Sequence, residues 1–131
     1  MEKAKILIVD DDPDITEAMK IVLEHQDYVV KNAQNIEQAM ERLNAELPDL
    51  IILDVMMNTQ QDGFILSRKL KQDDKYKDIP ILMLTSVQEK TGLDFGSVAG
   101  DETWLPVEEF MAKPVKPDTL LKKVGELLKK A

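Results

Sequence analysis

The sequence predicts an α/β domain in which helices cover both faces of a parallel sheet. Three observations carry that prediction. Aliphatic runs of strand length recur at Ile6-Leu7-Ile8-Val9, Leu50-Ile51-Ile52-Leu53 and Ile81-Leu82-Met83-Leu84. Apolar residues at consecutive positions suit strands buried on both faces, as parallel strands are. Between these runs lie stretches with apolar residues at helical spacing, joined by short connections, and such alternation winds into a right-handed parallel sheet.

Taken in order, the first strand is Lys5 to Val9, and it ends in Asp10-Asp11-Asp12-Pro13-Asp14. Proline suits the first turn of a helix and Asp12 suits its cap. Ile15, Ala18, Met19, Val22 and Leu23 then predict a helix over 13–25. Tyr28-Val29-Val30 reads as the second strand. Asn35 caps a second helix whose apolar face is Ile36, Ala39, Met40, Leu43 and Leu47. Pro48-Asp49 stops that helix, and the third strand, Leu50 to Leu53, ends at Asp54.

The polar loop from Asn58 to Asp62 leads through Gly63 into a third helix carrying Phe64, Leu66 and Leu70, which ends in the charged run Gln72 to Asp78. Pro80 opens a fourth strand, closed by Thr85-Ser86. Phe110-Met111-Ala112 forms a fifth, closed by Lys113-Pro114. A last helix begins near Pro117 and buries Leu120, Leu121, Val124, Leu127 and Leu128, with lysines toward its C-terminal end, where cations complement the helix dipole. The expected architecture is a five-stranded, doubly wound sheet, flavodoxin-like in its strand order 2-1-3-4-5. Between Gln88 and Glu109 helical periodicity is poor and Gly92, Gly96 and Gly100 interrupt it, so a short fourth helix and an elaborated segment with Trp104 and Pro106 are expected there.

The 131 residues fit one domain, 1–131, with a real core. A formal net charge of −8 argues against electrostatic binding to nucleic acid or anionic membranes. The absence of cysteine excludes disulfides and thiolate metal sites. No apolar run approaches the roughly 20 residues of a membrane-spanning helix and no signal-peptide core is present, so a cytoplasmic protein without membrane insertion is expected.

The residues that close the strands carry the chemistry. In a parallel sheet, Asp10 and Asp11, Asp54, Thr85 and Lys113 all emerge at the C-terminal edge, where open α/β sheets bind ligands. Three converging carboxylates need a cation. Hard oxygen ligands without His or Cys suggest Mg2+, which shares its shell with waters and phosphate. A carboxylate beside such an ion can attack phosphorus, while a lysine and a hydroxyl bind the remaining phosphoryl oxygens. Asp10, Asp12 and Asp14 mimic the start of a calcium-binding EF-hand loop, but Ile15 stands where that loop needs glycine and Ile21 where it needs glutamate.

These residues fall in five motifs: Ile8-Val9-Asp10-Asp11-Asp12, Asp49-Leu50-Ile51-Ile52-Leu53-Asp54, Asp62-Gly63-Phe64, Pro80-Ile81-Leu82-Met83-Leu84-Thr85-Ser86 and Lys113-Pro114. Together, in this order, they resemble the receiver domain of two-component response regulators over essentially the whole chain. The resemblance implies that Asp54 accepts a phosphoryl group, that Asp10 and Asp11 hold Mg2+ together with Asp54 and the backbone carbonyl of Met56, and that Thr85 and Lys113 contact the phosphate. It also places Phe110 at the family's aromatic switch position, paired with Thr85. The implied partners are a sensor histidine kinase or histidine phosphotransfer protein and a downstream protein target, with no direct nucleic-acid contact.

Two departures stand out. The loop Met57-Asn58-Thr59-Gln60-Gln61-Asp62-Gly63 lacks the family's usual proline and is one residue longer, and the stretch from Thr91 to Val107 is also longer than usual. A phosphorylation-independent pseudo-receiver is therefore an alternative. A haloacid-dehalogenase-type phosphatase also uses an Asp nucleophile after a first strand, but its Asp-x-Asp signature continues to Thr or Val two residues later, unlike Asp10-Asp11-Asp12-Pro13-Asp14. With no output domain after Ala131, a free-standing receiver is expected, the alternative being a piece of a longer chain. His25, the sole histidine, reads as a surface residue rather than a phosphodonor.

Overall fold

The computed structural model describes residues 3–54, 62–85, 109–112 and 115–130. Along the chain these form β1 (Lys5–Val9), α1 (Pro13–His25), β2 (Val29–Ala33), α2 (Ile36–Ala45), β3 (Leu50–Asp54), α3 (Asp62–Lys71), β4 (Ile81–Thr85), β5 (Glu109–Ala112) and α4 (Pro117–Lys130). The strands lie in the order β2-β1-β3-β4-β5. All neighbours run parallel, and the four-residue β5 adds to the free edge of β4.

Alternation along each strand divides the core in two. Ile6, Ile8, Leu50, Ile52, Leu82 and Leu84 pack with Met19 and Leu23 of α1 and with Leu120, Val124 and Leu127 of α4. Leu7, Val9, Ile51, Leu53, Ile81 and Met83 pack on the other face with Ala39 and Leu43 of α2 and with Leu66 and Leu70 of α3. The aliphatic runs are continuous because both faces of the sheet are covered. Each fully buried aliphatic side chain contributes about 1.5–3 kcal/mol, so the sheet is a stiff platform for whatever its edges carry.

The helix starts follow local chemistry. Asp12 caps α1, its side chain accepting from the backbone N–H groups of Asp14 and Ile15, with Pro13 in the first turn. Asn35 caps α2 by accepting from the Gln38 N–H, and the Gln38 side chain in turn accepts from the Gln34 N–H.

Several expectations need correction. Leu47 is not on the buried face of α2. The helix ends at Ala45 and Glu46 is already extended, two residues before Pro48, a residue that cannot continue a helix. Leu47 is accordingly 45% exposed, and Pro48 is buried beside it. Ala18 also faces solvent, and Thr16 is buried on α1 instead. β2 begins one residue later than Tyr28 and continues to Ala33, through the polar pair Lys31-Asn32. An edge strand tolerates polar residues, and here Lys31 is exposed while Val30 and Ala33 are buried on opposite faces of the sheet. Within the charged run after α3, Tyr76 is buried in the core of the α2/α3 face and donates from its hydroxyl to Asn44 Oδ1 at 2.9 Å. Lys71 Nζ donates to the carbonyls of Lys77 and Ile79 and closes the same turn.

Candidate metal and phosphoryl site

The strand order reverses between β1 and β3, since β2 lies on the far side of β1 while β4 follows β3. Such a switch point leaves a crevice at the C-terminal ends of the strands. Val9 is in register with Leu53, so the next residues, Asp10 and Asp54, leave adjacent strands side by side. Both are almost wholly buried, at 1% and 3% exposure, while Asp11 is exposed. One carboxylate oxygen from each of Asp10, Asp11 and Asp54 lies within 4.8 Å of the others.

The backbone sets this geometry. The Asp10 N–H donates to the Ala33 carbonyl at 3.0 Å, extending the β1–β2 ladder one residue past the strand. Its Oδ1 accepts the Asp12 N–H at 2.9 Å. Asp12 Oδ1 accepts the N–H groups of Asp14 and Ile15 at 2.9 and 3.3 Å. The segment 10–15 is thus tied to itself from β1 to the first turn of α1, whose positive end favours nearby anions.

The donor set fits a hard divalent cation. Oxygens bound to one Mg2+ at about 2.1 Å lie at most about 4.2 Å apart, so a small contraction of these three carboxylates would bring them around one ion. All three donors are carboxylate oxygens, the ligand type Mg2+ prefers. Three acidic groups this close repel one another, and a cation relieves the repulsion.

Of the other residues singled out by sequence, the backbone of Thr85 closes β4 opposite Ala112, and Phe110 lies in β5 opposite Met83. Both strand ends therefore belong to the carboxylate edge of the sheet. The side chains of Thr85 and Phe110 lie outside the described residues, as do Met56, Lys113, the loop 57–61 and the segment 91–107 with Trp104. His25 is exposed at the end of α1, at the far edge of the sheet from Asp54. Sequence reading treated Asp12 only as a helix cap and missed its backbone contact with Asp10. No sequence pattern marks a backbone N–H as a partner of a buried carboxylate.

A doubly wound sheet with an acidic cluster at its switch point defines a class, and comparison with known proteins specifies it. Residues 6–125 match the response regulator receiver domain, and the chain belongs to that family. It is 35% identical over 127 residues to the alkaline phosphatase synthesis transcriptional regulatory protein PhoP of Bacillus subtilis, covering 97% of this chain and 49% of that protein. Among solved structures it is similar to the signal receiver domain of a signal transduction histidine kinase from Syntrophus aciditrophicus, with 32% identity and a TM-score of 0.82 over 98% of this chain and 92% of that one. The chemotaxis response regulator CheY4 of Vibrio cholerae is 30% identical, with a TM-score of 0.78 over 96% and 99% of the two chains. The chain spans about half the length of the curated relatives it matches first. Among the described residues no helix is long and apolar enough to cross a membrane.

Proposed function

We propose that this receiver domain is a phosphoacceptor switch, taking a phosphoryl group from a partner histidine kinase or histidine phosphotransfer protein onto Asp54. The observation that carries the reading is the meeting of Asp10, Asp11 and Asp54 at the switch point of the sheet. In the reaction, one Asp54 carboxylate oxygen attacks phosphorus. The phosphorus–nitrogen bond of the donor phosphohistidine breaks and its electron pair leaves with the imidazole. An acyl phosphate remains on Asp54. Mg2+, held by Asp10, Asp11, Asp54 and the Met56 carbonyl, would supply neutralisation of the phosphoryl charge.

Asp54 suits the nucleophile's part because β3, buried along its whole length, fixes its backbone. Burial also limits water at the reacting centre. Thr85 and Lys113 bind phosphoryl oxygens in this reading, and Thr85 with Phe110 relays the change to the surface. The domain's own chemistry is then confined to gaining and losing the phosphoryl group, and its output passes through protein–protein contacts in the cytoplasm.

Incubation with Mg2+ and acetyl phosphate, followed by intact mass measurement, tests the reading. The native chain gains the mass of one phosphoryl group and Asp54→Asn gains none. Equal labelling of the Asn variant would remove Asp54 from the role. No labelling of the native chain under any Mg2+ concentration would favour the pseudo-receiver.

A further inference from the structure

Resting on the metal-binding reading above, we propose that Asp12 is a positioning residue for the ion site: by capping α1 it holds its own backbone N–H against Asp10 and so fixes the carboxylate that faces Asp11 and Asp54. The chain of contacts is continuous. Asp12 Oδ1 accepts the N–H groups of Asp14 and Ile15, which places the Asp12 side chain over the first turn of α1. Its backbone is extended at φ −91° and ψ 108°. Pro13 favours that broad region for the residue before it, and the two cap hydrogen bonds hold Asp12 at one point within it. In that conformation the Asp12 N–H meets Asp10 Oδ1 at 2.9 Å.

The Asp10 backbone is independently anchored, its N–H donating to the Ala33 carbonyl at 3.0 Å. With the main chain fixed on one side and one carboxylate oxygen fixed on the other, the Asp10 side chain has little torsional freedom left. Outer partners of metal ligands act in this way: they set the ligand's orientation before the ion arrives, and their loss weakens binding. Asp12 does this from the helix cap without being a ligand.

The role separates experimentally from both charge and general stability. Mg2+ affinity is measured by titration calorimetry, and by the rise of melting temperature with MgCl2, at a temperature where every variant is folded. Asp12→Ala removes the cap and is expected to weaken Mg2+ binding about tenfold. Asp12→Asn and Asp12→Ser lose the charge but keep a capping oxygen, and both are expected to stay within about threefold of the native chain. Asn35→Ala removes the matching cap from α2, and is expected to lower the melting temperature without changing Mg2+ affinity.

Native affinity in Asp12→Ala would overturn the positioning role. So would equal weakening in Asp12→Asn and Asp12→Ala, which would make the effect one of charge. Equal weakening in Asn35→Ala would overturn it too, as general loosening. These outcomes leave the metal reading standing. Failure of the native chain to bind Mg2+ would instead overturn the metal reading, and the positioning role with it.

Discussion

At the N-terminal edge of the sheet, Asp49 accepts the Lys5 backbone N–H at 2.8 Å and the Lys5 ammonium lies 3.0 Å from Glu46. At the C-terminal edge, Asp10, Asp11 and Asp54 bring three carboxylate oxygens within 4.8 Å of one another. The same strands, β1 and β3, carry both arrangements. One edge sets acid against base and the other sets acid against acid. Gathered like charges work against stability, and a fold keeps them where a cation or a reaction makes use of them. In the proposed reading, the contrast separates an edge that closes the structure from one that serves chemistry.

The strand that joins the edges offers the sharpest way to break the comparison. Leu53 is fully buried next to Asp54, and Leu53→Ala is expected to lower unfolding free energy by about 2–5 kcal/mol in urea denaturation. A loss below about 1 kcal/mol would mean that β3 does not hold the acidic edge rigidly.

Asp11→Ala acts on the C-terminal edge alone. Mg2+ affinity should fall by about tenfold or more, since the proposed site loses one of its three carboxylates. Stability without metal should hold level or rise, because one of three mutually repelling charges has gone. A large loss of stability in the metal-free protein, with affinity unchanged, would turn Asp11 into a structural residue and erase the contrast.

At the opposite edge the expected effects are small. The side chains of Lys5 and Glu46 are 38% and 52% exposed, so a double-mutant cycle of Lys5→Met with Glu46→Gln should give a coupling of no more than about 1 kcal/mol. That coupling should shrink in high salt. A larger, salt-insensitive value would make this edge a buried electrostatic anchor.

The smallest effect concerns the turn after α1, at that same edge. Asp27 is held at φ 68°, directly after the helix, where glycine is the preferred residue. Asp27→Gly should raise stability by a few tenths of a kcal/mol up to about 1 kcal/mol. A decrease in thermal unfolding experiments would show that the Asp27 side chain contributes something its backbone strain conceals.

Sequence alone determined the α/β class, the winding of helices on both faces, and the caps at Asp12 and Asn35. These follow from short-range rules: continuous apolar runs, helical spacing, and the chemistry of helix ends. It also nominated Asp10, Asp11 and Asp54, because a carboxylate closing a buried strand needs a reason. What it misjudged shows where local rules stop. Leu47 satisfied the helical period yet faces solvent, since Pro48 ends the helix first. Tyr76, on which the local pattern carried no expectation, sits in a run of charges and is buried, since the turn after α3 folds it back onto α2.

Only the tertiary structure decided that Val9 lies beside Leu53, and therefore that Asp10 meets Asp54. It alone revealed the Asp12 N–H on Asp10. Strand register and backbone hydrogen bonds depend on how distant segments dock. A one-residue slip would turn every side chain of β3 to the opposite face and leave each local pattern unchanged.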